Sequence, residues 1–97
     1  MRGGENISPG EIEEALLAHP AVADAVVVAI PSEQWGEAVA AAVVLKPGTQ
    51  VAAEALQQWV RDRLRSSRVP ERIRFVGELP YNEMGKVLRR VVRSELA

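Results

Sequence analysis

The sequence predicts an α+β domain in which helices pack on a small, mostly antiparallel three-stranded sheet. Two observations predict it. Three segments repeat apolar residues at the three- and four-residue spacing of a buried helix face, and three others are short runs rich in β-branched residues. Their order along the chain is helix, strand, strand, helix, strand, helix. A chain of 97 residues is expected to form one domain, residues 1–97.

The first helix is predicted in the segment ISPGEIEEALLAHP. Ser8 provides an N-cap, Pro9 fits the first helical position, and Glu11 stands where a capping-box carboxylate reaches back. The histidine and proline at the end of the segment stop the helix. The side chains expected to be buried are Ile12, Leu16 and either Ala15 or Leu17.

The three strands differ in pattern. Asp24 to Pro31 is a continuous β-branched run, which favours a central position in the sheet. After a loop from Ser32 to Gly36, the second strand is predicted from Val39 to Leu45 and ends at a turn, Lys46 to Gly48. The third, Ile73 to Val76, alternates charged and apolar residues and is expected to be half exposed.

Two further helices follow the second strand. Residues 52–67 place Leu56, Val60 and Leu64 on one face, together with Trp59. Ala52, at the predicted N-cap, has no capping oxygen, which costs this helix about 1 kcal/mol. The segment KVLRRVVRSELA, residues 86–97, is predicted to close the chain as a basic amphipathic helix.

Composition excludes several kinds of site. The chain has no cysteine, so it cannot form disulfides or thiolate metal sites, and its one histidine, His19, cannot hold a metal alone. The longest apolar run, Ala38 to Leu45, is far too short to cross a bilayer, and the charged, glycine-rich start is unlike a signal peptide. We therefore expect a cytoplasmic protein with no membrane span.

Charge is unevenly distributed along the chain, although the net charge is −1. Residues 1–49 carry two Lys or Arg against seven Asp or Glu, whereas residues 50–97 carry ten against six. The second half presents either solvated helix faces or a surface for the phosphates of a nucleotide or a nucleic acid. Binding of single-stranded nucleic acid needs exposed aromatic side chains for stacking, and the four aromatic residues are scattered, so no nucleic-acid partner is expected.

The segment LPYNEMGKVLRR contains Lys86, the single lysine of residues 50–97, directly after Gly85. Glycine permits a tight turn there, and Pro80 stiffens the approach. Alone, the pair also fits an ordinary exposed lysine in a turn. Gly3 and Gly4 form a second glycine-containing spot, suited either to a simple turn or to the close passage of a slender ligand.

Three segments together resemble a known family. RGGENISPGEIE, AIPSEQWGEAVAAAVVLKPG and ELPYNEMGKVLRR, in this order and at this spacing, are similar to successive signatures of the small carboxyl-terminal domain of the adenylate-forming, AMP-binding enzymes. These include acyl-CoA synthetases, luciferases and peptide-synthetase adenylation domains. The resemblance covers nearly the whole chain, and its GGEN and WGE segments look more like acyl- or aryl-CoA synthetases.

The resemblance implies an ATP-dependent acid–CoA ligase, with fatty acid metabolism as one setting. A carboxylate attacks the α-phosphorus of ATP to give an acyl-adenylate and pyrophosphate, and the thiol of CoA or of carrier-protein pantetheine then displaces AMP. The small domain moves between two poses against a large N-terminal adenylation domain. That domain is expected to hold the acid, the adenine and the Mg²⁺, so the 97-residue chain alone is expected to be catalytically silent.

The resemblance also implies roles for individual residues. Lys86, with Gly85 shaping its loop, serves adenylate formation, where an ammonium can stabilise the α-phosphate and the incoming carboxylate. The loop of Gly3, Gly4 and Glu5 lines the pantetheine tunnel for the second step, close to Trp35. Candidates for the CoA phosphates are Arg68 and Arg72.

Other interpretations remain open. Glu5 also fits a charge that precedes a helix, Trp35 fits loop packing, and the two arginines fit a solvated surface. A different function class, a stand-alone interaction or regulatory module that pairs with a separately encoded adenylation domain, fits the same chain. Lys86 further matches family members whose lysine is acylated, which makes a lysine acetyltransferase a candidate partner.

Overall fold

The computed structural model describes residues 9–32, 36–65 and 69–96. The predicted α+β class and the order of elements are confirmed. The strands form one sheet in the order β1-β2-β3, with β1 antiparallel to β2 and β2 parallel to β3. The elements are α1 (Pro9–Leu17), β1 (Val22–Ser32), β2 (Gly36–Leu45), α2 (Ala53–Leu64), β3 (Arg72–Phe75) and α3 (Arg89–Leu96).

β1 lies at an edge of the sheet, so the prediction of a central position was wrong, and β2 is the central strand. The apolar run of β1 has another cause, because both of its faces are covered. Val27 packs into a cluster with α1 and α2, whereas Val26 and Val28 pack into a second cluster with α3. Alternate side chains of a strand point to opposite faces, so a strand buried on both faces is apolar throughout.

β1 and β2 are longer than predicted. Ser32 and Gly36, expected in a loop, pair at the ends of the two strands, and residues 33–35 lie outside the described residues. The turn after β2 is confirmed, since Gly48 has φ +78° and the N–H of Thr49 donates to the carbonyl of Lys46 at 3.1 Å. β3 is mostly exposed and lies one residue earlier than predicted.

The first face of the sheet is covered by α1 and α2. From α1, Ile12, Ala15 and Leu16 are buried, and Leu17 is 44% exposed, which decides the alternative left open by the sequence. Ser8, the predicted N-cap, lies outside the described residues. The N-cap of α2, Ala52, makes no side-chain capping hydrogen bond, as predicted.

The second face is covered by α3 and by the extended segment before it. Val92 and Leu96 of α3 and Leu79 are buried against the side chains that β1 and β2 direct to this face. α3 begins at Arg89, three residues later than the predicted start at Lys86. The reason is local, because Val87 pairs with Tyr81 in a β-bridge and so remains extended.

Candidate functional site

Lys86 lies in a loop, Leu79–Leu88, that is closed by its own hydrogen bonds and is called the lysine loop below. Its two legs meet where Tyr81 pairs with Val87 and where the N–H of Leu88 donates to the carbonyl of Pro80 at 2.7 Å. The segment is therefore a short hairpin with Lys86 on its second leg. Such cross-links restrict the backbone on both sides of the lysine.

Asn82 organises the turn of the lysine loop. Its side-chain oxygen accepts from the N–H of Met84 at 2.8 Å and from that of Lys86 at 3.0 Å. Its backbone carbonyl accepts from Gly85 at 3.0 Å, and its own N–H donates to the carbonyl of Lys86 at 2.9 Å. Asparagine at the first and glycine at the fourth position of a turn is a favoured arrangement.

Gly85 has φ +82°, in the left-handed region that side chains other than glycine adopt at a cost. A Cβ built there would meet no atom within 4 Å. Glycine is therefore required by the backbone conformation of the turn and not by a close neighbour. The sequence-based role of Gly85 in shaping a tight turn agrees with this geometry.

The side chain of Lys86 is exposed and makes no hydrogen bond or ion pair with the residues that the structure describes. Next to it, at the tip of the loop, Met84 is 82% exposed. The backbone of Lys86 is thus held by Asn82, whereas its ammonium remains available to a ligand or to another protein surface. This combination suits a cation that acts on something outside its own domain.

The lysine loop is attached to the edge of the sheet on both sides of Lys86. Before it, the hydroxyl of Tyr81 donates to Oδ2 of Asp24 on β1. After it, Nη1 of Arg89 donates to Oε2 of Glu13 on α1 at 2.5 Å, and Nη2 donates to Oε1 at 3.3 Å. A two-pronged guanidinium–carboxylate pair fixes orientation as well as distance.

These contacts change proton affinities. The hydrogen bond to Asp24, followed by desolvation and the charges of Asp24 and Glu13, raises the pKa of Tyr81 above its ordinary value. The hydrogen bond to Glu13 raises the pKa of Arg89, and partial burial opposes that rise. Arg89 therefore stays charged throughout the physiological range, and Tyr81 stays a donor.

The other predicted site residues are not gathered around Lys86. Arg72 is exposed on β3, and its Nη1 donates to the carbonyl of Leu96 at the end of α3, at 2.5 Å. Lys86 precedes the start of the same eight-residue helix, whose length is about 12 Å. The two cations therefore belong to opposite ends of α3. Five of the predicted site residues lie outside the described residues: Gly3, Gly4, Glu5, Trp35 and Arg68.

Sequence reasoning missed the residues that hold the lysine loop. Asn82 carries a local signal, since it precedes Gly85 by three residues as in a common turn. Glu13 and Asp24 carry none, because they are separated from Arg89 by 76 residues and from Tyr81 by 57. Only the folded sheet brings these pairs together.

Within the described ranges, no group of three or more His, Asp or Glu side chains is arranged to hold a metal ion. No helix in that part of the chain has the length and apolar content to span a membrane.

Comparisons with known proteins agree on one family. The model of the AMP-binding enzyme C-terminal domain matches residues 11–86. The fatty acid–[acyl-carrier-protein] ligase ScoC of Streptomyces coeruleorubidus is 47% identical over 91 residues, which are 94% of this chain and 18% of that protein. The 4-chlorobenzoate–CoA ligase of Pseudomonas sp. strain CBS-3 is 47% identical over 98 residues, covering 100% of this chain and 19% of that protein.

Solved structures agree in fold. The amide bond synthetase McbA from Marinactinospora thermotolerans matches with a TM-score of 0.88 and 37% identity, over 94% of this chain and 19% of that one. An acyl-CoA synthetase of Brucella canis matches with a TM-score of 0.85 and 40% identity, over 92% and 17%. The chain spans about a fifth of the length of these relatives. From fold, sequence identity and family match together, the chain belongs to the C-terminal domain family of the AMP-binding, adenylate-forming enzymes.

Proposed function

We propose that this domain is the mobile lid of an ATP-dependent acid–CoA ligase and that Lys86 acts in the formation of the acyl-adenylate. The observation that carries the proposal is a lysine whose backbone is fixed by Asn82 while its ammonium has no partner among the described residues. A cation presented in this way can enter a site formed by another domain. Membership of the adenylate-forming family supplies the reaction.

In the proposed first step, a carboxylate oxygen of the acid bonds to the α-phosphorus of ATP, and the bond to pyrophosphate breaks. Negative charge develops on the α-phosphate oxygens, and the attacking carboxylate is itself an anion. The Lys86 ammonium stabilises that charge and positions the carboxylate, without accepting a proton. Loss of a contact of this kind commonly costs about 3–4 kcal/mol in the transition state.

In the proposed second step, a thiol attacks the acyl carbon and AMP leaves. Gly3, Gly4, Glu5 and Trp35 are assigned to the pantetheine tunnel, and Arg68 and Arg72 to the CoA phosphates. The likeness to 4-chlorobenzoate–CoA ligase supports CoA as the acceptor. A carrier-protein thiol is the acceptor named for ScoC, so both thiols belong in the assay.

The remaining partners in the proposal are a large N-terminal adenylation domain and the Mg²⁺ that accompanies ATP, held outside this domain. The family match and the chain's coverage of about a fifth of its relatives support a partner domain. The acid is not assigned, because the names of the relatives include a fatty acid, 4-chlorobenzoate and oxalate.

The test uses the ligase in which this domain is joined to its adenylation domain. Lys86→Ala should lower ATP–pyrophosphate exchange by a factor of several hundred, and thioester formation from pre-made acyl-adenylate should stay near normal. Lys46→Ala is the matched control, since Lys46 is the only other lysine in the chain and is also exposed. Normal exchange with Lys86→Ala would favour the alternative of an interaction module.

We also propose that Lys86 is a target for a lysine acetyltransferase. Its exposure supports access, and acylation would remove the charge that the first step needs. Mass spectrometry of protein from cells that lack deacylase should find the modification on Lys86 in excess over Lys46. Equal or absent modification of the two lysines would contradict this proposal.

A further inference from the structure

The outer edge of β1 lies between the two attachments of the lysine loop. The N–H of Val27 donates to Oε2 of Glu13 at 2.9 Å, and its carbonyl accepts from Nη1 of Arg89 at 3.0 Å. Both polar groups of Val27 therefore point away from β2, toward the open edge. Two residues earlier, the N–H of Ala25 points the same way and donates to Oδ1 of Asp24 at 2.9 Å.

The same two carboxylates hold the lysine loop. Glu13 binds the edge at Val27 and also binds Arg89, three residues after Lys86. Asp24 binds the edge at Ala25 and also accepts from Tyr81, five residues before Lys86. Asp24 thus connects the sheet edge to the first leg of the lysine loop, and Glu13 connects it to the residue directly after the loop. We call the pair the edge carboxylates.

We propose that the edge carboxylates, Glu13 and Asp24, are positioning residues that set the place of Lys86 for adenylate formation. The inference rests on the proposed function of Lys86. The turn between the two attachments is cross-linked by Asn82 and by the pairing of Tyr81 with Val87. Fixing the two ends of this turn therefore also fixes the backbone position of Lys86. A misplacement of about 1 Å in a reacting group can lower the rate about 100-fold.

The experiment measures both half-reactions in the ligase with Glu13→Gln and with Tyr81→Phe. Glutamine keeps the shape of Glu13 but loses the charge. Its amide NH₂ group would face the N–H groups of the Arg89 guanidinium, and two donors cannot form a hydrogen bond with each other. We expect pyrophosphate exchange to fall about tenfold with Glu13→Gln and about threefold with Tyr81→Phe, through kcat and with little change in the KM for ATP. Thioester formation from pre-made adenylate should stay within about twofold of normal.

A matched control comes from the same helix. Glu14→Gln removes a carboxylate one residue away that is exposed and makes no side-chain hydrogen bond with the described part of the chain. It should leave both half-reactions unchanged. Denaturation by urea of every variant reports any general loss of folding.

The decisive comparison repeats Glu13→Gln in the Lys86→Ala background. If Glu13 acts through Lys86, Glu13→Gln should cause no further loss of pyrophosphate exchange in the Lys86→Ala background, because the ammonium that Glu13 positions is already gone. An equal tenfold loss in both backgrounds would overturn the inference, and so would a Glu13→Gln variant that behaves like Glu14→Gln.

The same data separate two kinds of failure. If Lys86→Ala leaves pyrophosphate exchange at its normal rate, the proposed function fails and this inference fails with it. If Lys86→Ala abolishes exchange while Glu13→Gln and Tyr81→Phe have no effect, only the inference about the edge carboxylates fails.

Discussion

The two faces of the sheet are built in different ways. On the first face, α1 and α2 bury large side chains completely, among them Ile12, Leu16 and Leu56, and Nε1 of Trp59 on α2 donates to the carbonyl of Ala15 on α1 at 2.7 Å. On the second face, a helix of eight residues and the extended segment before it bury Val92, Leu96 and Leu79 over the sheet.

Polar contacts hold the lysine loop and the end of α3 on the second face. Arg89 and Tyr81 attach the lysine loop to the β1 edge, and Arg72 binds the carbonyl end of α3. Apolar burial on the first face is non-directional and mainly adds stability, whereas hydrogen bonds on the second face fix orientation. We therefore expect substitutions of buried apolar residues on the first face to change folding. Substitutions of the polar residues that hold the lysine loop, Glu13 of α1 among them, should change the placement of Lys86.

The largest expected effect is on the first face. Leu56 is fully buried, and Leu56→Ala should lower the free energy of unfolding by about 2–5 kcal/mol through lost burial and a cavity. Urea denaturation of the chain measures this. Leu17→Ala, at an exposed position of α1, should change it by less than about 0.5 kcal/mol. Similar losses for both leucines would mean that complete burial is not what makes Leu56 important for folding.

The next effect concerns the turn of the lysine loop. Gly85→Ala should cost about 1–2 kcal/mol, because alanine disfavours φ +82°, and relief of that strain should displace Lys86 and lower pyrophosphate exchange. Gly77→Ala is the control, since Gly77 also has open space around it but no positive φ. Gly85→Asn should retain more activity than Gly85→Ala, as asparagine tolerates this region better.

A smaller effect should raise stability on the first face. Ala52→Ser supplies the capping oxygen that α2 lacks and should add about 1 kcal/mol to the free energy of unfolding. Ala55→Ser, inside the same helix and exposed, should give no gain, because serine has a lower helix propensity than alanine. A gain from both changes would mean that the cap is not the cause.

The smallest expected effect is a pH dependence of stability that comes from the hydrogen bond between Tyr81 and Asp24. The pKa of Tyr81 is raised in the folded state, so its hydrogen bond to Asp24 stabilises the fold fully below the unfolded pKa of about 10. That contribution, under about 1 kcal/mol at this exposed position, is lost as pH rises through the folded pKa. Wild type should therefore lose its advantage over Tyr81→Phe only in alkali.

The measurement is direct because Tyr81 is the only tyrosine in the chain. Absorbance of the tyrosinate gives its pKa without assignment, and Asp24→Asn should lower that pKa toward its ordinary value. A titration at the ordinary value in wild type would contradict the contact between Tyr81 and Asp24.

The sequence predicts the elements of this fold better than their contacts. Helical spacing and β-branched runs are local signals, so the six elements and the burial of Ile12 and Leu16 follow from them, whereas the choice between Ala15 and Leu17 does not. The edge position of β1 does not, because burial on both faces gives the same apolar run as a central strand. The start of α3 was misplaced because Val87 is held extended by a pairing with Tyr81 that helix propensity does not encode.

The candidate site divides in the same way. Lys86 and Gly85 were found from a short motif, and the turn that shapes them is local. Glu13 and Asp24 could not be found, since an acidic residue on a helix or a strand end has no feature that foretells a partner 57 or more residues away. The roles in catalysis and binding assigned to Lys86, Gly85 and Arg72 stay predictions, as do those of Gly3, Gly4, Glu5, Trp35 and Arg68.

The outer edge of β1 has a consequence for solubility. An edge strand offers unpaired N–H groups on which another chain can add a strand, the usual start of aggregation. Along this edge the N–H groups of Ala25 and Val27 are taken by carboxylates, and Pro31 has none to offer. If the domain is the mobile lid proposed above, each departure from its partner domain would expose this strand. The occupied N–H groups of Ala25 and Val27 would then make pairing with its copies less favourable.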